Sequence, residues 1–304
     1  MIIIRFRKIL YVFSAIILAA SIFGILFYGF RLGVDFSGGS ILEVEFLENT
    51  PELSLVEKNL SNAGFSAFRI QPTGEKGFII RLGDIGQESR QDLLKALSLS
   101  DNPESVLVAR RFDSIGPTIG RELRRNAFVS ISLVIILILA FVSWAFRHVS
   151  KPVASWKYGV VAILALIHDI LVPAGLFAYL GRFYGAEVDA LFVTALLTIL
   201  GFSVHDTIVV FDRIRENLRK AEAEGRIGAA DFEQIVGKSL DETYGRSLAT
   251  SFAIFLVLAS LFWYGADATR YFALTLLIGV IAGTYSSICL ASPLLVSWQK
   301  WSRK

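Results

Sequence analysis

Six runs of apolar residues, each long enough to cross a lipid bilayer, constrain this chain more than any other feature. They lie near Ile9–Phe30, Ala127–Phe146, Tyr158–Leu180, Ala190–Phe211, Leu248–Tyr264 and Tyr271–Ser297. A hydrocarbon core about 30 Å thick takes roughly 20 helical residues to cross. In lipid every backbone N–H and C=O must be paired within the protein, so runs of this kind are predicted to be α-helices. With 54% hydrophobic residues and a mean hydropathy of +0.58, the chain does not have the composition of a soluble domain.

Basic residues set the expected orientation. Arg5, Arg7 and Lys8 precede the first run; Arg147, Lys151 and Lys157 lie between the second and third. Arg213, Arg215, Arg219, Lys220, Arg226 and Lys238 lie between the fourth and fifth, and Lys300, Arg303 and Lys304 follow the sixth. The opposite short loops hold only Arg182 and Arg270, so the positive-inside rule predicts both termini in the cytoplasm. The expected layout is a cytoplasmic stretch 1–8, a first span 9–30, an outer (periplasmic) domain 31–126, and a membrane part 127–304 with a cytoplasmic loop 212–247. The first run is longer than a signal-peptide core and no small-x-small cleavage site precedes Arg31, so it reads as a retained anchor. The net charge of +3 is accounted for by these topogenic residues and leaves no nucleic-acid footprint. Cys289 is the single cysteine, which excludes an internal disulfide and a cysteine-rich metal site.

The segment after the first span changes periodicity. Ser40–Glu48 alternates, with Leu42, Val44 and Phe46 on one face, as a strand does. Glu52–Ala63 carries Val56 and Leu60 at helical spacing before the helix stop Gly64. Phe65–Gln71 and Gly77–Leu82 read as strands around a Pro72–Gly74 turn, Gln87–Ser98 as a helix, and Ser105–Phe112 as a last strand. The order β-α-β-β-α-β is that of a small α+β ferredoxin-like domain. It contains no histidine, cysteine or glycine-rich phosphate loop, so its expected business is contact with another chain or support of the membrane part. Gly33-Val34-Asp35-Phe36-Ser37-Gly38-Gly39 joins it to the first span; Gly38 and Gly39 permit left-handed backbone and Asp35 can bond nearby amides. A structural turn is the preferred reading over direct chemistry.

Within the spans, charged and polar residues are the informative ones. A carboxylate in hydrocarbon costs at least ~2.5 kcal/mol, so such residues usually face the bundle interior or a wet path. Asp206, about 8 Å from the inner end of the fourth span at the helical rise, reads as a proton or ion site. The alternatives are snorkelling or pairing with a helix neighbour. A proton carrier must load on one side and release on the other, which requires opposing influences on the charged form. His168 and Asp169 sit mid-span in the third run, either as a second proton-binding step or as a fixture of helix contacts; Asp169 is the better relay. Thr194, Thr198, Gly201 and His205 fall on one stripe of the fourth span, suited to close packing or a hydrated seam. Gly279 and Gly283 form a small-xxx-small motif that reads as helix packing. Gly201-x-Ser203-x-His205 invites comparison with an intramembrane hydrolase, but it is not the Gly-x-Ser-x-Gly elbow, and residues i and i+2 of a helix point apart.

Three motifs converge on one family. The stretch Gly33–Gly39 resembles the motif that SecF proteins carry after their first span. Ser114-Ile115-Gly116-Pro117-Thr118-Ile119-Gly120 resembles the family's Val-Gly-Pro-x-x-Gly signature, with Gly116 and Pro117 at its centre. Ser203-Val204-His205-Asp206-Thr207-Ile208-Val209-Val210-Phe211-Asp212-Arg213-Ile214-Arg215-Glu216-Asn217 is similar to the fourth-span signature over its whole length. The resemblance covers essentially the whole chain. It implies a subunit of the Sec export machinery in the bacterial inner membrane, akin to half of a resistance–nodulation–division transporter. Implied partners are SecD, the SecYEG translocon, the translocating preprotein and YajC. No cofactor and no metal are implied; the proton is the coupling ion and the protein is not an enzyme. The resemblance also places Arg246, which opens the fifth span, near Asp206, as a fixed charge beside a titrating one, with Thr250 one turn further along a polar path. His205 stands where many members have Asn, so it either joins proton transfer or replaces an amide. The alternative function is half of a small-molecule or lipid exporter of the same superfamily, against which the short outer domain argues.

Overall fold

The structure, a computed structural model, describes residues 2–48, 50–98, 102–146, 154–225 and 229–302. Arg147, Lys151, Arg226, Arg303 and Lys304, counted above among the basic residues, lie outside the described residues. In chain order the elements are α1 (Ile2–Arg5), α2 (Arg7–Tyr28), α3 (Val34–Ser37), β1 (Gly39–Phe46), α4 (Leu53–Asn62), β2 (Arg69–Thr73), β3 (Gly77–Leu82), α5 (Gln87–Ser98), β4 (Leu107–Ile115), α6 (Pro117–Ala145), α7 (Ser155–Tyr184), α8 (Ala190–Ala223), α9 (Ala229–Tyr264), α10 (Asp267–Tyr285) and α11 (Ser292–Trp301). A 3₁₀ turn, Pro103–Ser105, precedes β4, and a π-helical turn, Ser286–Ala291, joins α10 to α11. The chain forms two compact units, one of residues Met1–Arg31 with Phe128–Lys304 and one of Leu32–Ala127.

In the smaller unit the four strands are antiparallel in the order β2-β3-β1-β4. That is the order a β-α-β-β-α-β chain adopts when each helix crosses one face. The strand alternation does what period two requires: Leu42, Val44 and Phe46 of β1 and Phe78, Ile80 and Leu82 of β3 are buried with Val56 and Leu60 of α4 and Leu93 and Leu97 of α5. Two boundaries differ from the sequence reading. The second strand is Arg69–Thr73, not Phe65–Gln71. Gly64 ends α4 at φ 84°, the Phe65 N–H bonds back to the Leu60 carbonyl, and Ala67 sits at φ 58°, so extended backbone cannot begin before residue 69. Pro72 therefore lies in β2 and not in the turn; β2 is an edge strand, where a missing N–H is tolerated. The last strand runs Leu107–Ile115, because Ser105 belongs to the 3₁₀ turn.

The two glycine signatures meet in this unit. Gly38 and Gly39 have φ 76° and 128°, values that favour glycine. A Cβ on Gly38 would lie 2.8 Å from Pro117 Cα, one on Gly39 2.6 Å from the Leu82 carbonyl oxygen, and one on Gly120 2.9 Å from the Gly38 nitrogen. The turn after the first span and the start of α6 are thus pressed together backbone to backbone, with Asp35 half-buried in the short helix α3 between them. Gly116 has room for a side chain, with only Asp84 Oδ2 at 3.8 Å.

Among the described residues six helical segments are long and apolar enough to cross a membrane: Arg7–Tyr28, Pro117–Ala145, Trp156–Tyr184, Ala190–Ala223, Phe232–Tyr264 and Asp267–Trp301. The fourth and fifth continue well past their apolar runs, so the charged stretch 212–247 forms the ends of α8 and α9 wherever it is described. Ion pairs knit these ends together. Arg213 reaches Glu242 at 2.6 Å, Lys220 reaches Glu216 at 2.7 Å, and Asn217 Nδ2 donates to Ser239 at 2.9 Å and to Glu242 at 2.8 Å. Hydrogen bonds from Arg213 and Asn217 hold the Glu242 carboxyl below the usual carboxylate range. Glu233 receives both Arg7, at 2.6 Å, and Lys300, tying α2 and α11 to α9. Burial pushes its carboxyl up, but the bonds from Lys300 and Arg7 prevail and hold it low.

Close helix approach depends on small residues. A Cβ on Gly175 of α7 would lie 2.4 Å from Ser21 Cα of α2. A Cβ on Gly279 would lie 2.2 Å from Ile199 Cδ1, and one on Gly283 3.1 Å from Ser203 Cβ, so both glycines face α8 across a tight seam.

Candidate functional site: two hydroxyl-held carboxylates

The seam between α7, α8, α9 and the π-helical turn encloses two aspartates. Asp169 is fully buried and Asp206 is 6% exposed. Ser247 of α9 donates to Asp206 Oδ1 at 2.7 Å, and Ser287 of the π-helical turn donates to Oδ2 at 2.9 Å. Ser286, the preceding residue, donates to Asp169 Oδ2 at 2.7 Å, and Ser203 of α8 donates to the same oxygen. His168 Nδ1 lies 3.0 Å from Oδ1. A charged carboxylate only accepts, whereas a protonated one also donates. Each aspartate is therefore surrounded by groups whose bonding depends on its charge, and the groups come from different helices.

Local sequence explains why this region departs from regular helix. Pro173 has no N–H to give the Asp169 carbonyl four residues back, so the α7 ladder is open at Asp169. Pro293 does the same in the sixth span, just after the π-helical turn, and the Ser292 hydroxyl donates to the Ser287 carbonyl at 3.2 Å. Such turns mark places where the helical ladder has been re-registered, often at functional sites. Next to the carboxylates, Thr284 donates to Ser251 at 2.6 Å. These residues line, with Leu248, Phe252, Phe255, Ile288 and Cys289, a cleft of about 440 Å³ between α9 and the sixth span. His168 Nε2 and Thr207 Oγ1 are buried with no hydrogen-bond partner among the described residues. The His168 ring lies 5.9 Å from that of Tyr285, whose hydroxyl donates to the Leu10 carbonyl at 3.0 Å and pairs with Ser14 at 2.9 Å.

Asp206, Asp169 and His168 thus come together in the interior. Arg246, Thr250 and His205 do not join them. All three are exposed on the outer face of α8 and α9, together with Thr194, Thr198 and Gly201. Thr194, Thr198 and Thr250 spend their hydroxyls on carbonyls four residues back in their own helices. Among the described residues the contacts to Asp206 come from serines and no ion pair joins it to Arg246. Ser247, not Arg246, points inward and bonds the carboxylate; the two neighbours are about 100° apart around the helix, and packing selects the serine. Ser203 is bonded to Asp169 and His205 faces away, so these two residues do not pair with each other. Ser247, Ser286 and Ser287 were not singled out from the sequence, and Ser203 was weighed only as a hydrolase residue. The signal that would have found Ser286 and Ser287 is a serine pair seven and six residues before Pro293 inside an apolar run. Among the described residues no cluster of three or more His, Cys, Asp or Glu is placed to hold a metal ion.

Six membrane-crossing helices, a small α+β unit inserted after the first, and carboxylates held by hydroxyls in the interior define a polytopic membrane protein of the transport class. Comparison with known proteins gives the family. Residues 97–301 match the protein export membrane protein SecD/SecF C-terminal family, and residues 23–46 match the SecD/SecF GG motif. The chain is 42% identical to the protein translocase subunit SecF of Thermobaculum terrenum, over 98% of this chain and 93% of that one. It is 35% identical to SecF of Vibrio alginolyticus, over 95% and 87%. The crystal structure of SecDF, a translocon-associated membrane protein from Thermus thermophilus, superposes with a TM-score of 0.80 at 30% identity; the match takes in 98% of this chain and spans 38% of the length of that one. The chain belongs to the SecD/SecF family of protein export membrane proteins, and within it to the SecF branch.

Proposed function

We propose that this chain is the SecF-type subunit of a Sec protein-export machinery, and that it couples export to the proton motive force through Asp206. The observation that carries the reading is the position of that carboxylate. It is buried, and it accepts hydroxyls from two further helices, α9 through Ser247 and the sixth span through Ser287. Protonating it turns one acceptor oxygen into a donor, so the hydroxyl on that oxygen must turn to accept or leave, while the other still donates to the remaining carbonyl oxygen. A hydrogen bond to a charged group contributes about 1.5–3 kcal/mol, so the two protonation states favour different packings of three helices. One charge crossing 100 mV supplies about 2.3 kcal/mol, enough to bias a near-balanced switch by more than tenfold but not to reverse a lopsided one.

Asp169, His168 and the hydroxyls between them form the second step of the relay. Arg246, Thr250 and His205, on the exposed face, act where a second membrane half covers them. SecD is the partner that supplies that half, as the SecDF relative carries both names in one chain. The SecYEG translocon, the preprotein and YajC complete the assembly. In this reading the protein resides in the bacterial inner membrane with both termini cytoplasmic and the unit Leu32–Ala127 in the periplasm, and its role is mechanical, with no catalytic step. The test is Asp206→Asn in membranes that contain SecD. Proton-dependent stimulation of export should vanish while co-purification with SecD persists; unchanged stimulation at normal protein levels rejects the coupling role.

A further inference from the structure

The two buried carboxylates are read by consecutive residues. Ser286 donates to Asp169 on α7 and Ser287 to Asp206 on α8, and both serines are fully buried. A planar peptide joins their Cα atoms, so a rotation of the turn that displaces one serine displaces the other. Ser203 adds a second link. It lies three residues before Asp206, hence on the same side of α8, and its hydroxyl is bonded to Asp169. The result is a closed ring: Asp206, Ser287, Ser286, Asp169, Ser203 and back along one turn of α8 to Asp206.

We propose that the π-helical turn Ser286–Ala291 makes Asp169 and Asp206 a single coupled pair, with Ser286 and Ser287 as the positioning residues that transmit a change at either carboxylate to the other. This inference rests on the proton-coupling role proposed above and adds to it the means by which two sites act as one. Loss of the Ser287 bond frees the turn, whose ladder is already re-registered and whose Ser287 carbonyl also accepts the Ser292 hydroxyl. Rotating the turn withdraws Ser286 from Asp169, where the α7 ladder is open as well. The other groups facing the pair are few. His168 on its own helix faces Asp169, with the Tyr285 ring beyond it; Ser247 of α9 faces Asp206, and Thr284, Ser251 and Cys289 line the adjoining cleft. The neighbours His205 and Arg246 are exposed and are not part of the ring. Ser247 touches Asp206 but lies outside the ring, which makes it the control.

The experiment is infrared difference spectroscopy of the full-length chain assembled with SecD in lipid vesicles, following the carboxyl bands as the bulk pH is lowered. Asp169→Asn and Asp206→Asn assign the bands. Ser287→Ala removes a donor from Asp206 alone, yet it is expected to shift the Asp169 band as well; Ser286→Ala should shift the Asp206 band in return. Ser247→Ala should shift only the Asp206 band. Ser287→Thr, which keeps the hydroxyl, should restore both bands. Proton-driven export should fall roughly tenfold in the two alanine variants, the factor expected for one charge-assisted hydrogen bond, and recover in Ser287→Thr. Should Ser286→Ala fail to assemble with SecD, Ser292→Ala tests the same link: it leaves both carboxylate contacts in place, removes only the cap on the Ser287 carbonyl, and should move both bands together. An Asp169 band that stays fixed in Ser287→Ala and in Ser292→Ala overturns the coupling while leaving Asp206 as a proton site. Carboxyl bands in the unsubstituted protein that ignore pH overturn the proton-coupling role itself, and with it this inference.

Discussion

The two units of this molecule both bury apolar residues, but they differ in what they expose and in which polar residues they enclose. In the unit Leu32–Ala127 the sheet and helices close over Leu42, Val44, Ile80, Val56, Leu60 and Leu93, all fully buried, while ion pairs such as Arg110–Glu45 stand exposed. In the six-span unit the large exposed residues are apolar: Leu26, Phe128, Ile136 and Val257 are each more than 60% exposed. Its interior holds Asp169, Asp206, His168 and the serines 203, 247, 286 and 287. The surroundings account for the difference. Water rewards burying hydrocarbon, about 25 cal/mol per Å², whereas lipid offers no such gain and penalises any polar group left facing it. Polar residues inside the span region must find one another, and those that do become available for coupling.

The comparison can be broken at its most polar point first. Asp206→Asn keeps the shape of the side chain and removes its charge; proton-dependent export, measured in inverted membrane vesicles, should drop to the level seen without a gradient. Retained stimulation shows that polar burial here serves only packing. The opposite core is tested by Ile80→Ala, which should destabilise the small unit by about 2–5 kcal/mol, read as a lower thermal midpoint or faster proteolysis within 32–127. A loss below 1 kcal/mol would mean that this core is loosely packed. Gly175→Ala probes the lipid-side rule that small residues let helices touch. The added methyl meets the Ser21 backbone and not a movable side-chain end, so α2 must shift, at about 1–3 kcal/mol. Cysteine cross-linking between α2 and α7 should weaken accordingly.

The smallest effect belongs to the charged ends of α8 and α9. Glu242 is held low by Arg213 and Asn217, so its contribution is fully present above the ordinary value of 4.5 and is lost as pH falls through the lower folded value. Because the pair is partly exposed, Glu242→Gln should cost at most about 1 kcal/mol, and less in high salt. Hydrogen exchange of residues 229–247 near pH 4, compared with pH 7, measures it. Exchange that is insensitive to pH would remove the network as a stabilising feature.

Much of this was legible without coordinates. The six apolar runs, the alternation of β1 and β3, and the helix stop at Gly64 all declare themselves through residue type and period. Asp206 and Asp169 declare themselves as charges where charge is expensive. Ser247 shows what that reasoning does not reach. The rotation of α9 is set by packing along its whole length, and it turns Ser247 inward to bond Asp206. Likewise the strand at residues 69–73 was displaced by two backbone conformations, at Gly64 and Ala67, that only one of those residues advertises.

The sequence by itself determined that the chain crosses a membrane repeatedly, that one small α+β unit interrupts it, and that certain acids must hide from lipid, since each follows from local composition meeting a known solvent. Tertiary structure alone decided which hydroxyls those acids would find. Ser203 and Asp169 are 34 residues apart, Ser247 and Asp206 41, Ser287 and Asp206 81, and Ser286 and Asp169 117. No local pattern encodes a bond across such distances; it exists only once four helices have packed and one of them has slipped its register.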